Sequence, residues 1–338
     1  MHHFRYNTPF VFLFTTLAIF LFGCSKQAEW RQADGAVWGT TYHIVYEGEA
    51  DLTDSIVAVM GRVEKAVSMF DPASNVSRIN AGRTDTVCDM MADLLVKSKK
   101  INTLSGGYFD PTVMPLVNLW GFGPDGKSTS QPDSATVRKA LGSVGIQDCT
   151  VDANRTLRRK HRDTKFDFSA IAKGYGVDCV AEMLEKNGCA NYMVEIGGEV
   201  RVKGHNPRGT DWRLQIDDPV ASGADGHAPL AIVQLTDCGL ATSGNYRNFH
   251  TLPDGTRVAH TISPLTGYPV QTSTLSVSVV AGDCVTADAL ATACMAMPLD
   301  QAKAMIEGLG NVSAIFVTDD GHGQTRTQIV GPDIFVRK

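Results

Sequence analysis

Segments with strand-like and helix-like hydrophobic patterns follow one another irregularly along this chain of 338 residues, and this order restricts the fold more than any other feature. Patterns typical of strands lie at 36–46, 150–157 (a hairpin), 191–196, 199–203, 212–217, 230–236, 256–262, 275–281, 312–318 and 326–331. Patterns typical of helices lie at 53–70, 89–104, 131–141, 173–187, 285–297 and 299–308, and loops are expected at 71–84 and 108–127. A doubly wound parallel sheet needs regular alternation of strands and helices. We therefore expect an α+β fold with mixed or antiparallel sheets and packed helices, as a single large unit of one or two subdomains.

The first residues have the composition of an export signal. A basic start is followed by the apolar run Phe10–Phe22, which is shorter than the ~20 residues that span a bilayer. The ending Leu21-Phe22-Gly23-Cys24 resembles a bacterial lipobox, in which the cysteine becomes the acylated first residue; an ordinary signal peptide with a chance cysteine is the alternative. The expected organisation is a lipoprotein signal peptide at 1–23, a lipid-anchored tether at 24–34 and a folded domain at 35–338.

Charge and cysteine content argue against two classes of protein. Lys and Arg number 31 against 36 Asp and Glu, which gives a net charge of −5 and no basic excess for a nucleic-acid partner. No pair of the 8 cysteines has C-x-x-C or zinc-ligand spacing. Cys179 and Cys294 lie in apolar stretches, so we expect buried free thiols instead of a disulfide framework.

Several well-known nucleotide and hydrolase motifs are absent or out of context. Gly121–Gly126 matches G-x-G-x-x-G, but no clean strand precedes it and no apolar helix follows it. The chain has no G-x-x-x-x-G-K-[ST], H-E-x-x-H or G-x-S-x-G segment. A dinucleotide-binding dehydrogenase, a P-loop enzyme and an α/β-hydrolase therefore lose support.

Two glycine-containing segments lie at expected element boundaries. Asp167–Asp178 covers the start of a predicted helix, where small residues, free N–H groups and Lys173 suit a phosphate. Glycine used only for helix packing explains this segment equally well. Asn191–Arg201 has a Gly-Gly pair between two strand patterns, which indicates a tight hairpin with a structural role.

Two further segments carry side chains suited to catalysis or metal binding. His260 ends a predicted strand, and a loop histidine with a pKa near ~6.5 suits a general base, although a structural histidine is commoner. Asp288 and Thr292 are four apart on a predicted helix and therefore share a face. A carboxylate and a hydroxyl are hard oxygen donors that suit Mg²⁺, and a buried polar pair at a helix start is the alternative.

Taken in order, these segments and several neighbours resemble the ApbE family, the FAD:protein FMN transferases once called thiamine biosynthesis lipoproteins. The matching segments cover nearly the whole mature chain and are Gly39–Thr41, Ser77–Asn80, Gly107–Val113, Asp167–Asp178, Glu195–Glu199, Ala241–Tyr246, His260 with Pro264–Pro269, and Ala287–Thr292. The lipobox also agrees with the bacterial lipoproteins of this family. The resemblance implies an ApbE-like fold.

The resemblance also implies a reaction and its residues. The chain would bind FAD and Mg²⁺, split the pyrophosphate, and pass FMN to a Thr or Ser hydroxyl of a partner protein through a phosphoester, with AMP leaving. His260 matches the proposed base, and the implied metal ligands are the backbone carbonyl of Ala170 and the side chains of Asp288 and Thr292. The positions that match FAD contacts are Trp38, Ser77, Tyr108, Phe109, Asp110, Asp167, Lys173 and Thr261.

The chain departs from the family pattern at two positions. Trp38 stands where the family often has Met, so an indole would either stack on the isoalloxazine or narrow the pocket. Ser263 stands where the family often has Asp, which removes a carboxylate beside the proposed base. The chain has no acceptor-like D-G-x-T-G-A-T segment, so we do not expect self-flavinylation.

The implied partners are acceptor proteins with a D-G-x-T-G-A-T-like segment, among them subunits of sodium- or electron-pumping redox complexes. The implied location is the bacterial cell envelope, with Cys24 anchoring the protein on the periplasmic side of the inner membrane. Two alternatives stay open at this point. One is a Mg²⁺-dependent FAD pyrophosphatase that gives FMN and AMP, and the other is an FAD-binding lipoprotein without chemistry.

Overall fold

The computed structural model describes residues 1, 29–124, 130–220, 228–244, 249–251, 257–322 and 324–332. The apolar run of the expected signal peptide and Cys24 lie outside these residues. Within them, no helix combines the length and the apolar character needed to cross a bilayer.

The described residues form fourteen strands, eight α-helices and a 3₁₀ turn at Ile146–Asp148. The strands are β1 (Glu29–Val37), β2 (Thr40–Gly48), β3 (Cys149–Val151), β4 (Leu157–Arg159), β5 (Tyr192–Ile196), β6 (Glu199–Lys203), β7 (Trp212–Asp217), β8 (Pro229–Leu235), β9 (Cys238–Gly244), β10 (Phe249–Thr251), β11 (Arg257–Ala259), β12 (Thr274–Ala281), β13 (Ser313–Asp319) and β14 (Thr325–Val330). The helices are α1 (Thr53–Val67), α2 (Asn75–Asn80), α3 (Asp89–Leu104), α4 (Met114–Leu119), α5 (Ser134–Leu141), α6 (Ala172–Lys186), α7 (Cys284–Ala296) and α8 (Leu299–Leu309).

An eight-stranded sheet organises the fold. Its strand order is β1-β2-β5-β6-β9-β12-β13-β14, and each neighbouring pair is antiparallel. The pairs β3-β4, β7-β8 and β10-β11 form separate two-stranded ribbons. The expected α+β class is confirmed, and the main sheet takes the antiparallel form of the two that were expected.

The two faces of the sheet bury different layers, because side chains alternate along a strand. On β13, Ala314 and Phe316 belong to the core formed with α3, α6 and α7. Ile315 and Val317 belong to the core formed with the β7-β8 ribbon. The helices therefore cover one face, and the ribbon covers part of the other.

A smaller apolar core lies apart from these layers. Leu116 and Trp120 pack there with Val137 of α5 and with Val258 and Ile262. The indole Nε1 of Trp120 also donates to the carbonyl of Gly267 at 2.8 Å, which fixes the turn after Ile262. This small core supports the segment that contains His260.

Helix α7 is held at its N-terminus by the buried carboxylate of Asp178, which lies on α6. Its Oδ1 accepts the backbone N–H of Cys284 at 3.0 Å, and its Oδ2 accepts that of Val285 at 2.8 Å. Arg201 of β6 donates to Oδ1 at 2.8 Å. A carboxylate at a helix N-terminus satisfies free N–H groups and interacts well with the helix dipole.

Two glycines let α7 approach its neighbours closely. A Cβ on Gly174 of α6 would lie 2.4 Å from the carbonyl oxygen of Cys284 and 2.8 Å from Cβ of Asp288. A Cβ on Gly239 of β9 would lie 2.4 Å from the backbone nitrogen of Cys284. Any larger residue at either position would push α7 away from the sheet or from α6.

The N-terminal part of the domain differs from the sequence expectation. The predicted strand 36–46 is a hairpin of β1 and β2, with Trp38 at φ 52° and Gly39 at φ 76° in the turn. Both values lie in the left-handed region that two-residue hairpin turns require. Strand β1 begins at Glu29, so the boundary expected between tether and domain at residue 35 falls inside a strand.

Other differences follow from weak local signals. Strand β9, in the middle of the sheet, was not predicted because its sequence CGLATSG is rich in Gly, Ser and Thr. Short helices α2 and α4 lie within the expected loops 71–84 and 108–127. The strand expected at 256–262 is only β11, which pairs with β10.

The cysteines agree with the expectation of free thiols. Cys88, Cys149, Cys179, Cys189, Cys238, Cys284 and Cys294 are all free in the part of the chain that the structure describes. Four of them, Cys149, Cys189, Cys284 and Cys294, are buried, whereas Cys179, which was expected to be buried, is only partly so.

Replacing Gly174 with Ala tests the close approach of α6 and α7. We expect Gly174→Ala to lower the free energy of unfolding by ~1–3 kcal/mol, because the new methyl group overlaps the Cys284 carbonyl. Gly61→Ala in α1 is the matched control, since a Cβ there meets nothing within 4 Å and helix propensity favours Ala by ~0.5–1 kcal/mol. Denaturant unfolding measures both, and equal stability of the two variants would contradict the packing described.

Candidate active site

A cavity of about 650 Å³ opens between the N-terminal part of α6, the middle of α7 and the segment that contains His260. All but two of the side chains singled out from the sequence in the described part of the chain line it. They are Tyr108, Phe109, Asp110, Asp167, Ala170, Lys173, His260, Thr261, Asp288 and Thr292. The structure therefore brings together residues from four separate sequence segments.

Trp38 and Ser77 are the two that do not line this cavity. Ser77 belongs to α2, where its hydroxyl donates to the carbonyl of Ser68 at 3.1 Å. The Trp38 indole packs on Gly176 of α6, where a Cβ would lie 2.2 Å from Cη2. Its Nε1 is buried and has no hydrogen-bond partner among the described residues.

Lys173, Glu199 and Asp288 form a charged cluster on one wall. Lys173 lies in the first turn of α6 and pairs with Glu199, the first residue of β6. The side chain of Glu199 is 3% exposed and that of Lys173 is 37% exposed. One carboxylate oxygen of Glu199, Oε2, is buried without a hydrogen-bond partner in the described part of the chain.

The pKa values in this cluster are set by burial and by mutual attraction. Burial raises the pKa of Glu199, and the adjacent Lys173 ammonium opposes the rise. Burial also raises the pKa of Asp288, against the opposing effects of Lys173 and the Gly174 N–H. Burial lowers the pKa of Lys173, but Glu199 and Asp288 more than offset this, so that its pKa is raised. Lys173 therefore stays charged.

Asp288 and Thr292 present oxygen atoms to the same cavity from successive turns of α7. Oδ2 of Asp288 accepts the backbone N–H of Gly174 at 2.9 Å. The Thr292 hydroxyl lies 3.2 Å from the hydroxyl of Ser243, which holds it toward β9. Ala170, just before α6, lines the cavity as well. A carboxylate, a hydroxyl and a backbone carbonyl are the hard oxygen donors that Mg²⁺ prefers, so the donor set fits this ion.

The charge of the lining also favours a cation. Four carboxylates line the cavity, those of Asp110, Asp167, Glu199 and Asp288, whereas Lys173 is the one Lys or Arg among the described lining residues. Among these described parts of the chain, no three His, Cys, Asp or Glu side chains group together as a metal site of their own. An anionic ligand would therefore enter more readily together with a cation.

Asp110 and Asp167 line the cavity in different ways. Both oxygens of Asp110 are occupied: Oδ1 accepts from the Thr112 N–H at 2.8 Å and Oδ2 from the Ile146 N–H at 2.9 Å. Asp167 accepts the Ser169 N–H at 2.8 Å. Burial raises the pKa of both carboxyls, and nearby His260 opposes the rise for Asp167. Asp110 therefore mainly fixes the wall, whereas Asp167 is the freer carboxylate.

His260 lines the cavity from the segment that follows β11. Its ring meets the edge of Phe122, with ring centroids 6.4 Å apart, and its charge affects the pKa of Asp167. Ser263, one of the two positions expected to depart from the resembled pattern, is buried, and its hydroxyl accepts the Thr266 N–H at 3.3 Å. Ser263 thus shapes the turn after His260, and Asp167 supplies a carboxylate near the imidazole from another segment.

Sequence reasoning missed several lining residues. Glu199 and Ser243 belong to the quoted segments Glu195–Glu199 and Ala241–Tyr246, so a polar residue at the end of a matched motif was the available signal. Phe70 and Phe122 also line the cavity, and Phe70 is 75% exposed. Phe70 ends the predicted helix 53–70 but lies beyond α1, so helical periodicity gave no sign that it would line the cavity.

An ammonium, several carboxylates, a hydroxyl and an imidazole that meet in one cavity define the class of protein as an enzyme with its active site here. Residues 38–316 match the model of the ApbE family. The chain belongs to this family.

Relatives named FAD:protein FMN transferase are similar to this chain along almost its whole length. The FAD:protein FMN transferase of Haemophilus influenzae is 36% identical over 321 residues, 90% of this chain and 92% of the relative. That of Vibrio cholerae is 37% identical over 313 residues, 90% and 92% of the two chains. The crystal structure of the apo flavinyl transferase ApbE of Pseudomonas stutzeri superposes with a TM-score of 0.80 at 32% identity, covering 90% and 95%. The structure of the flavin transferase ApbE from Vibrio cholerae superposes with a TM-score of 0.78 at 33% sequence identity, and the match covers 90% of this chain and 97% of that one.

A pair of Ala variants tests the different roles of the two cavity aspartates. Asp110→Ala leaves the N–H groups of Thr112 and Ile146 without a partner, so we expect a loss of about 3 kcal/mol in the free energy of unfolding. Asp167→Ala removes one backbone contact, and about 1 kcal/mol is expected. Urea unfolding measures the stability of both variants. A larger loss of unfolding free energy in Asp167→Ala than in Asp110→Ala would contradict these roles.

Proposed function

We propose that this protein transfers FMN from FAD to a Thr or Ser hydroxyl of a partner protein, with Mg²⁺ bound and with release of AMP. Membership of the ApbE family supports the transfer of FMN from FAD to a protein. The observation that carries the finer proposal is the cavity itself, where Lys173, His260, Asp288 and Thr292 meet.

The wall at the start of α6 binds the pyrophosphate. Lys173 stays charged between Glu199 and Asp288, and it provides an ammonium for a phosphate oxygen. Ala170, Asp288 and Thr292 would hold Mg²⁺ through oxygen atoms that line the same wall. When bound, Mg²⁺ neutralises negative charge on the pyrophosphate oxygens.

His260 removes the proton of the acceptor hydroxyl. The hydroxyl oxygen forms a bond to the phosphorus on the FMN side, and the bond between that phosphorus and the bridging oxygen breaks. AMP takes the electron pair of the broken bond, and the proton goes to the imidazole of His260. Burial raises the pKa of Asp167 and the charge of His260 opposes this rise, so Asp167 in return stabilises the charged form of the imidazole.

The location and partners belong to the same proposal. The lipobox-like Leu21–Cys24 supports lipid anchoring at Cys24 in the bacterial cell envelope, on the periplasmic side of the inner membrane. The acceptor would carry a D-G-x-T-G-A-T-like segment. Of the carried-over FAD contacts, Tyr108, Phe109, Asp110, Asp167, Lys173 and Thr261 line the cavity, whereas Trp38 and Ser77 would contribute only from outside it.

Mass spectrometry tests the reaction directly. The protein is incubated with FAD, Mg²⁺ and a peptide that carries a D-G-x-T-G-A-T segment. A gain in peptide mass equal to FMN, with AMP released and both lost in EDTA, is the expected result. Free FMN with AMP and an unlabelled peptide would indicate a hydrolase, and bound but intact FAD would indicate a carrier.

Asp288→Ala tests the metal ligand. We expect loss of at least ~10²-fold in FMN transfer, because the carboxylate that would hold Mg²⁺ is gone. Asp300→Ala is the matched control, since Asp300 on α8 is exposed and lies outside the cavity lining. Transfer at the wild-type rate in Asp288→Ala would refute the metal assignment.

His260→Ala tests the base. Transfer should fall by ~10²-fold while the FAD dissociation constant changes by less than ~3-fold, since the imidazole acts on the acceptor. His161→Ala, an exposed loop variant outside the cavity lining, is the control. A collapse of FAD affinity in His260→Ala would instead assign His260 to ligand binding.

A further inference from the structure

In the charged cluster, the ammonium of Lys173 lies near two carboxylates, those of Glu199 and Asp288. Lys173 pairs with Glu199, and its charge also acts on Asp288. The next residue, Gly174, donates its backbone N–H to Asp288 at 2.9 Å. The backbone of the helix start thus binds one carboxylate while the lysine side chain binds the other.

The choice of partner for Lys173 matters for the cation. An ammonium on Asp288 would neutralise the charge of that carboxylate, cover one of its oxygens and repel a divalent ion. With the ammonium on Glu199, the second oxygen of Asp288 makes no hydrogen bond with a described residue. That oxygen is then available to a ligand of the cavity.

The buried position of Glu199 is energetically unfavourable. Its side chain is 3% exposed, and Oε2 is buried without a partner in the described part of the chain. Burying a carboxylate with an unsatisfied oxygen destabilises a fold, so such groups call for an explanation. The Gly197–Gly198 turn, with φ 62° and 95°, delivers Glu199 to this position at the start of β6.

We infer that Glu199 is a positioning residue that holds the Lys173 ammonium away from Asp288 and so leaves Asp288 free for a divalent cation. The inference rests on the proposed function, because it takes Asp288 as the cation ligand. In this role Glu199 acts on the cation site through the ammonium that it holds. Its effect passes through Lys173.

The test measures Mn²⁺ affinity by titration calorimetry on the full chain without FAD. Glu199→Gln keeps the size of the side chain but loses the charge that competes for Lys173, so affinity should fall at least ~10-fold. Glu199→Asp keeps the charge and is one methylene shorter, so the ammonium is held less well and affinity should fall at least ~3-fold. In Glu199→Gln/Lys173→Met the competing ammonium is absent, and affinity should return to within ~3-fold of Lys173→Met.

Cation-free crystal structures of the wild type and of Glu199→Gln distinguish movement of Lys173 from a direct electrostatic effect of the Glu199 charge on the cation. Nζ of Lys173 should move to hydrogen-bond distance of Asp288 in the variant. The inference would be overturned if Nζ stayed beside residue 199 in the variant, or if both Glu199 variants bound Mn²⁺ with wild-type affinity. Either result would leave the proposed cation site unaffected. Wild-type protein that binds no Mn²⁺ would overturn that site and this inference together. If Glu199→Gln fails to fold, Glu199→Asp gives the same two readouts.

Discussion

The contact between the Asp178 carboxylate and the first N–H groups of α7 fixes the position of the active-site wall. Asp178 is buried between this helix start and Arg201, so removal of the carboxylate would leave two N–H groups and a guanidinium unsatisfied. Asp288 lies one turn after Cys284 and Thr292 lies two turns after it. Their oxygens therefore reach the cavity only while α6, β6 and α7 stay in register, and Gly174 and Gly239 make that close register possible.

The cavity lies between parts of the chain that are packed independently. Lys173, Asp288 and Thr292 stand on helices of the main core, whereas His260 belongs to a segment supported by Trp120 and the small core around it. The residues proposed to bind the phosphate are therefore held by the main core, and the histidine proposed to take the proton is held by the small core. A substitution in the small core should act on the base, and a substitution at the start of α7 should act on the phosphate wall.

The sequence was informative where the pattern was local and failed where a contact was long-range. Helix α3 matches its predicted bounds because its apolar spacing is regular and Gly106 follows it. The hairpin β1-β2 was read as one strand because Trp-Gly is not a usual turn pair, and a tryptophan in the left-handed region is held there by its packing on Gly176. The resemblance supplied most of the cavity and included Glu199 in a matched segment, but it gave Glu199 no role, because that role depends on a lysine of another segment.

The position of strand β1 in the sheet also bears on the distance between a membrane anchor and the active site. It begins at Glu29, close in sequence to Cys24, and Glu29 pairs with Gly48 at one end of the sheet. Glu199 stands at the level of Gly35, through the pairings of Ile196 and Tyr42. The stretch from Glu29 to Gly35 spans roughly 20 Å. If Cys24 carries the proposed lipid, the chain enters the domain at the end of β1 that lies about 20 Å from the level of Glu199, and this distance would favour acceptors whose hydroxyl stands clear of the bilayer.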